Sequence, residues 1–216
     1  MYKEIINKEK TIAVIGLGYV GLPIALEFAK KVPVIGFDIK ENRIEMMKKN
    51  VDPSNELGPE SFNNRDIIFT SNSEDLQKAD FFIIAVPTPV NEHKQPELRP
   101  LLSATRTVAE VLKDGDYVVY ESTVYPGCTE EDCIPLLEQL SGLKYKENFK
   151  VGFSPERINP GDTEHTLAKI IKVTSGCDEE SSEEIAQVYE LVTEAGGNRA
   201  SSIKVTQSPN RIETTQ

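Results

Sequence analysis

The 216-residue sequence contains no tryptophan, two histidines and three cysteines. The cysteines, Cys128, Cys133 and Cys177, are odd in number and lack zinc-ligand spacing, and His93 and His165 lie far apart in the chain. We therefore expect neither a disulfide framework nor a metal site. Because the aromatic residues are scattered, the sequence also offers no stacking platform for single-stranded nucleic acid.

Positive charge is scarce as well, with 24 Lys and Arg against 35 Asp and Glu and a formal net charge of -11. This balance disfavours nucleic acid or an anionic membrane as a partner, although a local cradle of backbone amides can still bind phosphate. No apolar run approaches the roughly 20 residues of a membrane span, and no leader pattern opens the chain. We expect a cytoplasmic protein with one sizeable core.

Residues 12–30 read as a strand, a glycine-rich turn and a helix without a gap. Four apolar residues predict a buried strand that ends at Gly16, and apolar positions recur at helical spacing from Val20. The turn has the pattern Gly16-x-Gly18-x-x-Gly21, which in this context is typical of dinucleotide binding. The alternative interpretation is that the glycines serve only to form the turn.

Each glycine has a separate physical reason. Gly16 would let the chain turn sharply out of the strand, Gly18 would let backbone amides approach a pyrophosphate, and Gly21 would let helix and strand pack closely. The helix N-terminus would then supply free N–H groups and the positive end of its dipole to the phosphates.

A second predicted strand, 32–38, ends in Asp38, twenty residues beyond Gly18. A carboxylate at this distance typically accepts hydrogen bonds from the adenosine ribose and repels the extra phosphate of NADP, so the sequence predicts NAD. The other interpretation is that Asp38 caps the next helix. Arg43, early on that helix, could reach the adenosine side of the cofactor or could belong to a solvated face.

Polar residues follow three further predicted strands. Thr88 comes after the strand at 80–86, and Thr123 comes after the one at 117–120. Ligands sit outside the carboxyl ends of strands in an open parallel sheet, so both hydroxyls are placed to meet a cofactor. A rigid proline-rich turn explains the segment around Thr88 equally well. The charged loop 154–162 also follows a predicted strand.

Strands alternate with helices along the chain, which predicts an α/β fold with a Rossmann-like, doubly wound, mainly parallel sheet over residues 1–205. Ser208-Pro209 predicts the start of a linker helix within 206–216. Residues 1–10 read as a polar lead-in. Further strands are predicted at 67–70, 149–153, 169–174 and 202–205, and further helices at 40–50, 74–78 (capped by Ser73), 101–112, 129–140 and 181–193.

Five motifs occur in order over nearly the whole chain. They are Ile-Gly-Leu-Gly-Tyr-Val-Gly-Leu-Pro, Phe37-Asp38-Ile39, Val86-Pro-Thr-Pro89, Glu121-Ser-Thr-Val-Tyr-Pro-Gly127 and Ser154-Pro-Glu-Arg-Ile-Asn-Pro-Gly-Asp162. Together these motifs resemble the UDP-glucose/GDP-mannose dehydrogenase family. The loop at 154–162 is similar to that of the branch that oxidises UDP-N-acetyl-D-glucosamine or UDP-N-acetyl-D-galactosamine at carbon six.

The resemblance implies an NAD site and a two-step oxidation of an alcohol to a carboxylate. Thr88 and Thr123 would lie near the ribose and nicotinamide, and Glu156 would act as a general base that handles water. Arg157 and Asn159 would help to hold the sugar nucleotide. The residues that would contact the cofactor are Gly16, Gly18, Tyr19, Val20, Gly21, Asp38, Arg43, Thr88 and Thr123.

The sequence also departs from the family's pattern. Family members are longer, and their cysteine nucleophile, in a Gly-His-Cys-Ile-Pro type motif, has no counterpart here. The family's catalytic lysine aligns with Asn210, and its asparagine aligns with Thr214. A neutral amide stabilises developing negative charge less well than lysine, and without a thiolate the covalent step has no evident route.

Three interpretations follow. The first is the NAD-binding part of a UDP-N-acetylhexosamine 6-dehydrogenase of polysaccharide biosynthesis, in a truncated form that lacks the catalytic cysteine. The second is a non-catalytic dinucleotide-binding or interaction module, which Asn210 and Thr214 favour. The third, a short-chain oxidoreductase, lacks the Tyr-x-x-x-Lys pair that its proton transfer requires. The family's central helix buries apolar surface in a dimer, so this chain could form a homodimer or associate with a C-terminal half.

Overall fold

The computed structural model describes residues 1–89, 96–155 and 172–192. It begins with a short helix, α1 (Tyr2–Ile6), where the sequence predicted only a polar lead-in. Ile5 of this helix is fully buried, and the backbone N–H of Tyr2 donates to Glu184 Oε2 at 2.5 Å. The helix forms because one apolar side chain and one long-range hydrogen bond anchor it, neither of which a five-residue pattern reveals.

A seven-stranded sheet forms the centre of the described residues. Its order is β3-β2-β1-β4-β5-β6-β7; every pair is parallel except the last, β6 with β7. The predicted doubly wound, mainly parallel α/β fold is confirmed. The strands are β1 (Ile12–Ile15), β2 (Val34–Phe37), β3 (Ile67–Thr70), β4 (Phe81–Ile84), β5 (Tyr117–Tyr120), β6 (Lys150–Phe153) and β7 (Ser175–Gly176).

Helices cover both faces of the sheet. The helix α2 follows β1, α3 follows β2, and α6 follows β7; with α1 they share one apolar core, whereas α4 and α5 share the core on the other face. The helices after α1 are α2 (Gly21–Phe28), α3 (Glu41–Met47), α4 (Arg99–Ala109), α5 (Ile134–Ser141) and α6 (Glu179–Glu190).

Alternation along β1 shows why the strand is apolar throughout. Ile12 and Val14 belong to the core on the α2 side, and Ala13 and Ile15 belong to the core on the α4 side. Successive side chains of a strand point to opposite faces, so a strand covered on both sides needs apolar residues at every position.

The chain runs from β1 outward through β2 to β3, and then returns to β4 on the other side of β1. Strand order therefore reverses between β1 and β4. In doubly wound sheets a crevice opens at the carboxyl ends of the two strands where this reversal occurs, and ligands bind there. The loops after β1 and β4 carry the glycine turn and Thr88.

Three predicted elements differ from the structure. Residues 172–174 of the predicted strand 169–174 are not in a strand; the two-residue β7 pairs antiparallel with β6 instead. Residues 73–78 form a 3₁₀ helix capped by Asn72, whose side chain accepts from Glu74 N, rather than a helix capped by Ser73. The predicted helix 129–140 begins with a π-helical turn at Thr129–Cys133.

The predicted strand at 202–205 and the linker helix at 206–216, including Asn210 and Thr214, lie outside the described residues. Among the described residues, no helix has the length and apolar character needed to cross a membrane.

Candidate cofactor-binding site

The turn after β1 needs a glycine at its first position. Gly16 has φ of +89°, in the left-handed region that favours glycine. A Cβ at Gly16 would lie 2.7 Å from Val86 Cγ1 and 2.9 Å from the carbonyl oxygen of Ala85. The turn therefore packs directly against the end of β4, which closes one side of the crevice.

Gly18 and Gly21 differ in the space that is available around a Cβ atom. A Cβ at Gly21 would collide with the carbonyl oxygen of Gly16 and would lie 3.2 Å from Ala85 Cβ, so α2 packs on the turn with no room for a side chain. A Cβ at Gly18 would meet nothing within 4 Å. Gly18 thus faces open space at the mouth of the crevice, where a ligand can approach the backbone.

The N-terminus of α2 points into this opening. Its N-cap, Val20, has no side-chain oxygen, and the helix has no side-chain cap. Helices normally satisfy their first N–H groups with a capping side chain, water or a ligand. Leu22 N already donates to the Gly18 carbonyl oxygen at 3.1 Å, and Pro23 has no N–H. An apolar cap beside an open glycine therefore leaves mainly the positive end of the helix dipole, rather than a full set of free N–H groups, to an external anion.

Asp38 follows β2 and is fixed by the glycine turn itself. Its Oδ2 accepts from Leu17 N at 3.1 Å, and its Oδ1 accepts from Lys40 N at 2.9 Å. Arg43 Nη2 donates to the Leu17 carbonyl oxygen at 2.9 Å, and Arg43 Nε lies 3.8 Å from Asp38 Oδ2. Asp38 therefore does not cap α3, whose N-cap is Lys40 without a side-chain cap. Its carboxylate bonds to the glycine turn and to Lys40 N, and Asp38 lines the crevice.

A cavity of about 460 Å³ joins the glycine turn, Asp38 and Arg43 to the outer face of α4. Sequence reasoning missed several of its lining residues, including Lys40, Ser54, Pro100, Ser103 and Thr107. Of these, Lys40 adjoins Asp38 and could have been found from the sequence.

Ser54 reaches this cavity because buried Asp52 folds its loop. Asp52 accepts from the backbone N–H groups of Ser54 at 2.8 Å, Glu56 at 3.0 Å and Leu57 at 3.0 Å. Ser54 Oγ then lies 3.3 Å from Arg43 Nη2. The sequence showed only a loop broken by Pro and Gly, without this contact.

A second cavity of about 260 Å³ continues from the glycine turn between the ends of β4 and β5. Thr88 donates its hydroxyl to the carbonyl oxygen of Thr123, and Ser122 Oγ donates to the carbonyl oxygen of Val86 at 2.8 Å. Thr88 and Thr123, which the sequence placed at one edge of the sheet, thus lie in contact. Gly18, Tyr19 and Val20 line the same cavity.

The predicted substrate-side residues Glu156, Arg157 and Asn159 lie outside the described residues, and so do both histidines. Within the described parts of the chain, no three His, Cys, Asp or Glu residues cluster closely enough to hold a metal ion. Cys128 and Cys133 are buried, and Cys177 is half-buried.

The residues fit an NAD-type dinucleotide. The two cavities share Gly18 and Tyr19, so they form one crevice with an amide-rich centre, a carboxylate at one end and hydroxyls at the other. Amides at a helix N-terminus suit a pyrophosphate, and a carboxylate that follows the second strand suits a ribose without a 2′-phosphate.

Known proteins share this architecture. The chain is 51% identical over 210 residues to a UDP-N-acetyl-D-glucosamine 6-dehydrogenase of Pseudomonas aeruginosa, which covers 97% of this chain and 50% of that protein. It is 55% identical over 207 residues to Protein CapL of Staphylococcus aureus, and this alignment covers 96% of this chain and 49% of that protein. The chain spans about half the length of these curated relatives.

A solved structure, the UDP-D-ManNAc dehydrogenase of Pyrococcus horikoshii, superposes with a TM-score of 0.78 at 35% sequence identity, covering 85% of this chain and 45% of that one. The model of the UDP-glucose/GDP-mannose dehydrogenase family, NAD binding domain, matches residues 10–193. These residues include the glycine turn, Asp38 and both threonines that end in the crevice. The chain therefore belongs to the UDP-glucose/GDP-mannose dehydrogenase family, and its cofactor is NAD.

Proposed function

We propose that the crevice at the carboxyl ends of β1, β2, β4 and β5 binds NAD in an extended form. The amides around Gly18 and the N-terminus of α2 would hold the pyrophosphate. Asp38, Arg43 and Ser54 would hold the adenosine ribose in the larger cavity. Thr88 and Thr123 would lie at the ribose and nicotinamide end in the smaller cavity.

One observation carries this proposal: Gly18 opens onto solvent while its neighbours in the turn are closely packed. A glycine with free space around its Cβ position is not needed for packing. Its place between two cavities, beside an apolar helix cap, is explained by a ligand that touches the backbone.

In the whole protein, we propose, NAD accepts a hydride from carbon six of a UDP-N-acetylhexosamine, which becomes the uronic acid for polysaccharide biosynthesis in the cytoplasm. The name of the relative from Pseudomonas aeruginosa supports this substrate class. Glu156 would then act as general base on water, and Arg157 and Asn159 would hold the sugar nucleotide. The residues of this chain would bind and orient the cofactor; no cysteine in the sequence has the surroundings of the family's nucleophile.

The second candidate is a non-catalytic dinucleotide-binding or interaction module. Asn210 and Thr214 stand where the family has a lysine and an asparagine, and these substitutions favour it. A homodimer, or a complex with a separate C-terminal half, fits either candidate. Addition of a full-length relative's C-terminal half to this chain distinguishes them: activity that appears only in the mixture would support the enzyme.

Calorimetric titration of the chain with NAD, NADP and UDP-N-acetylglucosamine tests the proposed site. We expect binding of NAD, at least about tenfold weaker binding of NADP, and little binding of the sugar nucleotide to the chain alone. Loss of the Asp38 charge removes a ribose acceptor and the repulsion of a 2′-phosphate. Asp38→Ala should therefore weaken NAD binding and reduce the ratio of the affinity for NAD to the affinity for NADP.

The matched control is Asp75→Ala. Asp75 is a partly exposed carboxylate in the 3₁₀ helix at 73–78, it accepts from Thr70 Oγ1 at 2.7 Å, and it does not line either cavity. Its substitution should leave the preference for NAD unchanged. A folded wild-type chain that binds no NAD would refute the proposed function.

A further inference from the structure

A buried charged cluster lies behind the smaller cavity. Glu121 directly follows β5, lines this cavity together with Ser122 and Thr123, and is 1% exposed. Its carboxylate forms an ion pair with Lys172, and its Oε2 accepts from the Tyr189 hydroxyl at 2.7 Å. The side chains of Glu121 and Lys172 are both fully buried.

The three residues come from separate parts of the fold. Glu121 follows the interior strand β5, Lys172 precedes β7, and Tyr189 lies on α6. Lys172 Nζ also lies 5.7 Å from the centre of the Tyr189 ring, within the range of a cation–π contact. The cation is thus held between a carboxylate and an aromatic face.

A buried ion pair of this kind contributes little to the stability of the fold. Desolvation of two charges offsets most of their attraction, and apolar replacements of similar shape often preserve or improve stability. A buried pair whose carboxylate member lines a ligand cavity, however, places an electric field there, because the low dielectric around it screens little. Glu121 is among the residues that line the cavity and Lys172 is not, so the pair meets the cavity through Glu121.

We propose that the Glu121–Lys172 pair sets the relative affinity of the site for oxidised and reduced NAD. The inference rests on the proposed function, which puts the nicotinamide in the smaller cavity. The oxidised nicotinamide ring carries a positive charge and the reduced ring is neutral. The carboxylate that lines the cavity therefore favours the oxidised form, and Lys172 limits that preference so that the reduced form is also bound.

Lys172 should be charged when the test is made. Complete burial lowers the pKa of Lys172 to about 7, while the adjacent carboxylate acts in the opposite direction by favouring the ammonium form. Measurements at about pH 6 keep Lys172 protonated in the single variant Glu121→Gln, which lacks the carboxylate.

The test compares dissociation constants of NAD⁺ and NADH for the whole chain at about pH 6. Glu121→Gln leaves an unbalanced cation behind the cavity. It should lower the ratio of the affinity for NAD⁺ to the affinity for NADH by about tenfold. The double variant Glu121→Gln/Lys172→Met removes both charges and should shift the ratio in the same direction by about threefold.

Tyr189→Phe is the matched control, since it removes a hydrogen bond to the same carboxylate and changes no charge. Both nucleotides should bind it with the wild-type ratio, even if both affinities fall. A purely structural cluster would lower both affinities in parallel in every variant. Should Glu121→Gln fail to fold, the double variant decides, because replacement of both charges relieves the unpaired cation.

The inference is overturned if the double variant keeps the wild-type ratio of the two affinities. A wild-type chain that binds neither nucleotide would instead refute the proposed function, so the two failures are distinguishable. The ratio of the two affinities is measured without turnover.

Discussion

At the scale of single residues, Gly18 and Gly21 lie three positions apart in one turn and meet opposite surroundings. Gly18→Ala adds a methyl group in open space, whereas Gly21→Ala drives one into the Gly16 carbonyl oxygen. We expect Gly18→Ala to change the free energy of unfolding by less than about 0.5 kcal/mol and to weaken NAD binding at least about tenfold. Gly21→Ala should cost about 1–3 kcal/mol or more, because overpacking forces the backbone to move.

Thermal melts and NAD titrations of both variants check this prediction. Equal loss of stability in the two variants would show that Gly18 is a packing residue. Normal NAD binding by a folded Gly18→Ala chain would show that the ligand does not approach this backbone.

Residue-level predictions from the sequence succeed where they depend on local spacing. The glycine pattern and Asp38 are separated by a fixed turn and helix, so their meeting in one crevice could be anticipated. Ser54 joins the crevice through Asp52 and Arg43, and Glu121 meets Lys172 across the fold. Nothing in the local sequence encodes those contacts. A lysine between Ile171 and Val173 was the one visible signal of the buried cluster.

At the scale of secondary structure, α6 begins with a capping box. Asp178 Oδ1 accepts from Ser181 N at 2.8 Å, and Ser181 Oγ accepts from Asp178 N at 3.1 Å. Asp178 Oδ2 also accepts from Lys150 Nζ of β6 at 2.6 Å. This carboxylate therefore starts a helix and joins it to the sheet.

The Lys150 contact should make stability depend on pH. Partial burial raises the pKa of Asp178, but the hydrogen bonds from Lys150 and Ser181 outweigh burial and bring this pKa to about 2, below the usual 3.8. Asp178→Asn keeps a capping oxygen and loses the charge. It should lower the free energy of unfolding by about 1 kcal/mol at pH 7, a value discounted because the side chain is partly exposed.

The sign follows from the lowered pKa: the stabilisation is present above about pH 4 and is lost as the pH falls through about 2. Urea unfolding of the wild-type chain and of Asp178→Asn should be measured from pH 7 down to about pH 2. The difference between their free energies of unfolding should become smaller as the pH falls. The control is Glu179→Gln, an exposed acid in the same turn, which should have little effect. A difference that does not change with pH would mean that the Lys150 contact contributes nothing.

Element boundaries show why some predictions were wrong. The apolar strands β1, β4 and β5 were found because burial on both faces requires uninterrupted apolar runs. Residues 169–174 have a similar pattern, yet 172–174 lie outside any strand, and the side chain of Lys172 is buried in an ion pair with Glu121. Helix α6 starts two residues earlier than the predicted start at Ser181, because Asp178 caps it.

At the scale of the whole molecule, ligand binding should stabilise the fold. NAD at about one hundred times its dissociation constant should add about 2.7 kcal/mol and raise Tm by about 5–10 °C for a chain of this size. Differential scanning calorimetry checks the shift, with NADP at the same concentration giving a smaller one. The Gly18→Ala variant should show almost none, and a wild-type Tm insensitive to NAD would contradict the prediction.

The overall topology could be predicted because alternating strands and helices leave few ways to build a parallel sheet. The reversal at β7 could not, since a two-residue strand carries no periodicity. Its direction is set by pairing with β6, where Phe153 lies opposite Ser175.

The close fit at Gly21 also has a genetic consequence. Every missense change of one base in a glycine codon introduces a residue with a Cβ atom, and at this position any Cβ collides with the backbone of the same turn. Every single mutational step at this position therefore costs stability. A lineage could vary Gly18 and lose only the ligand, whereas variation at Gly21 would first have to rebuild the turn.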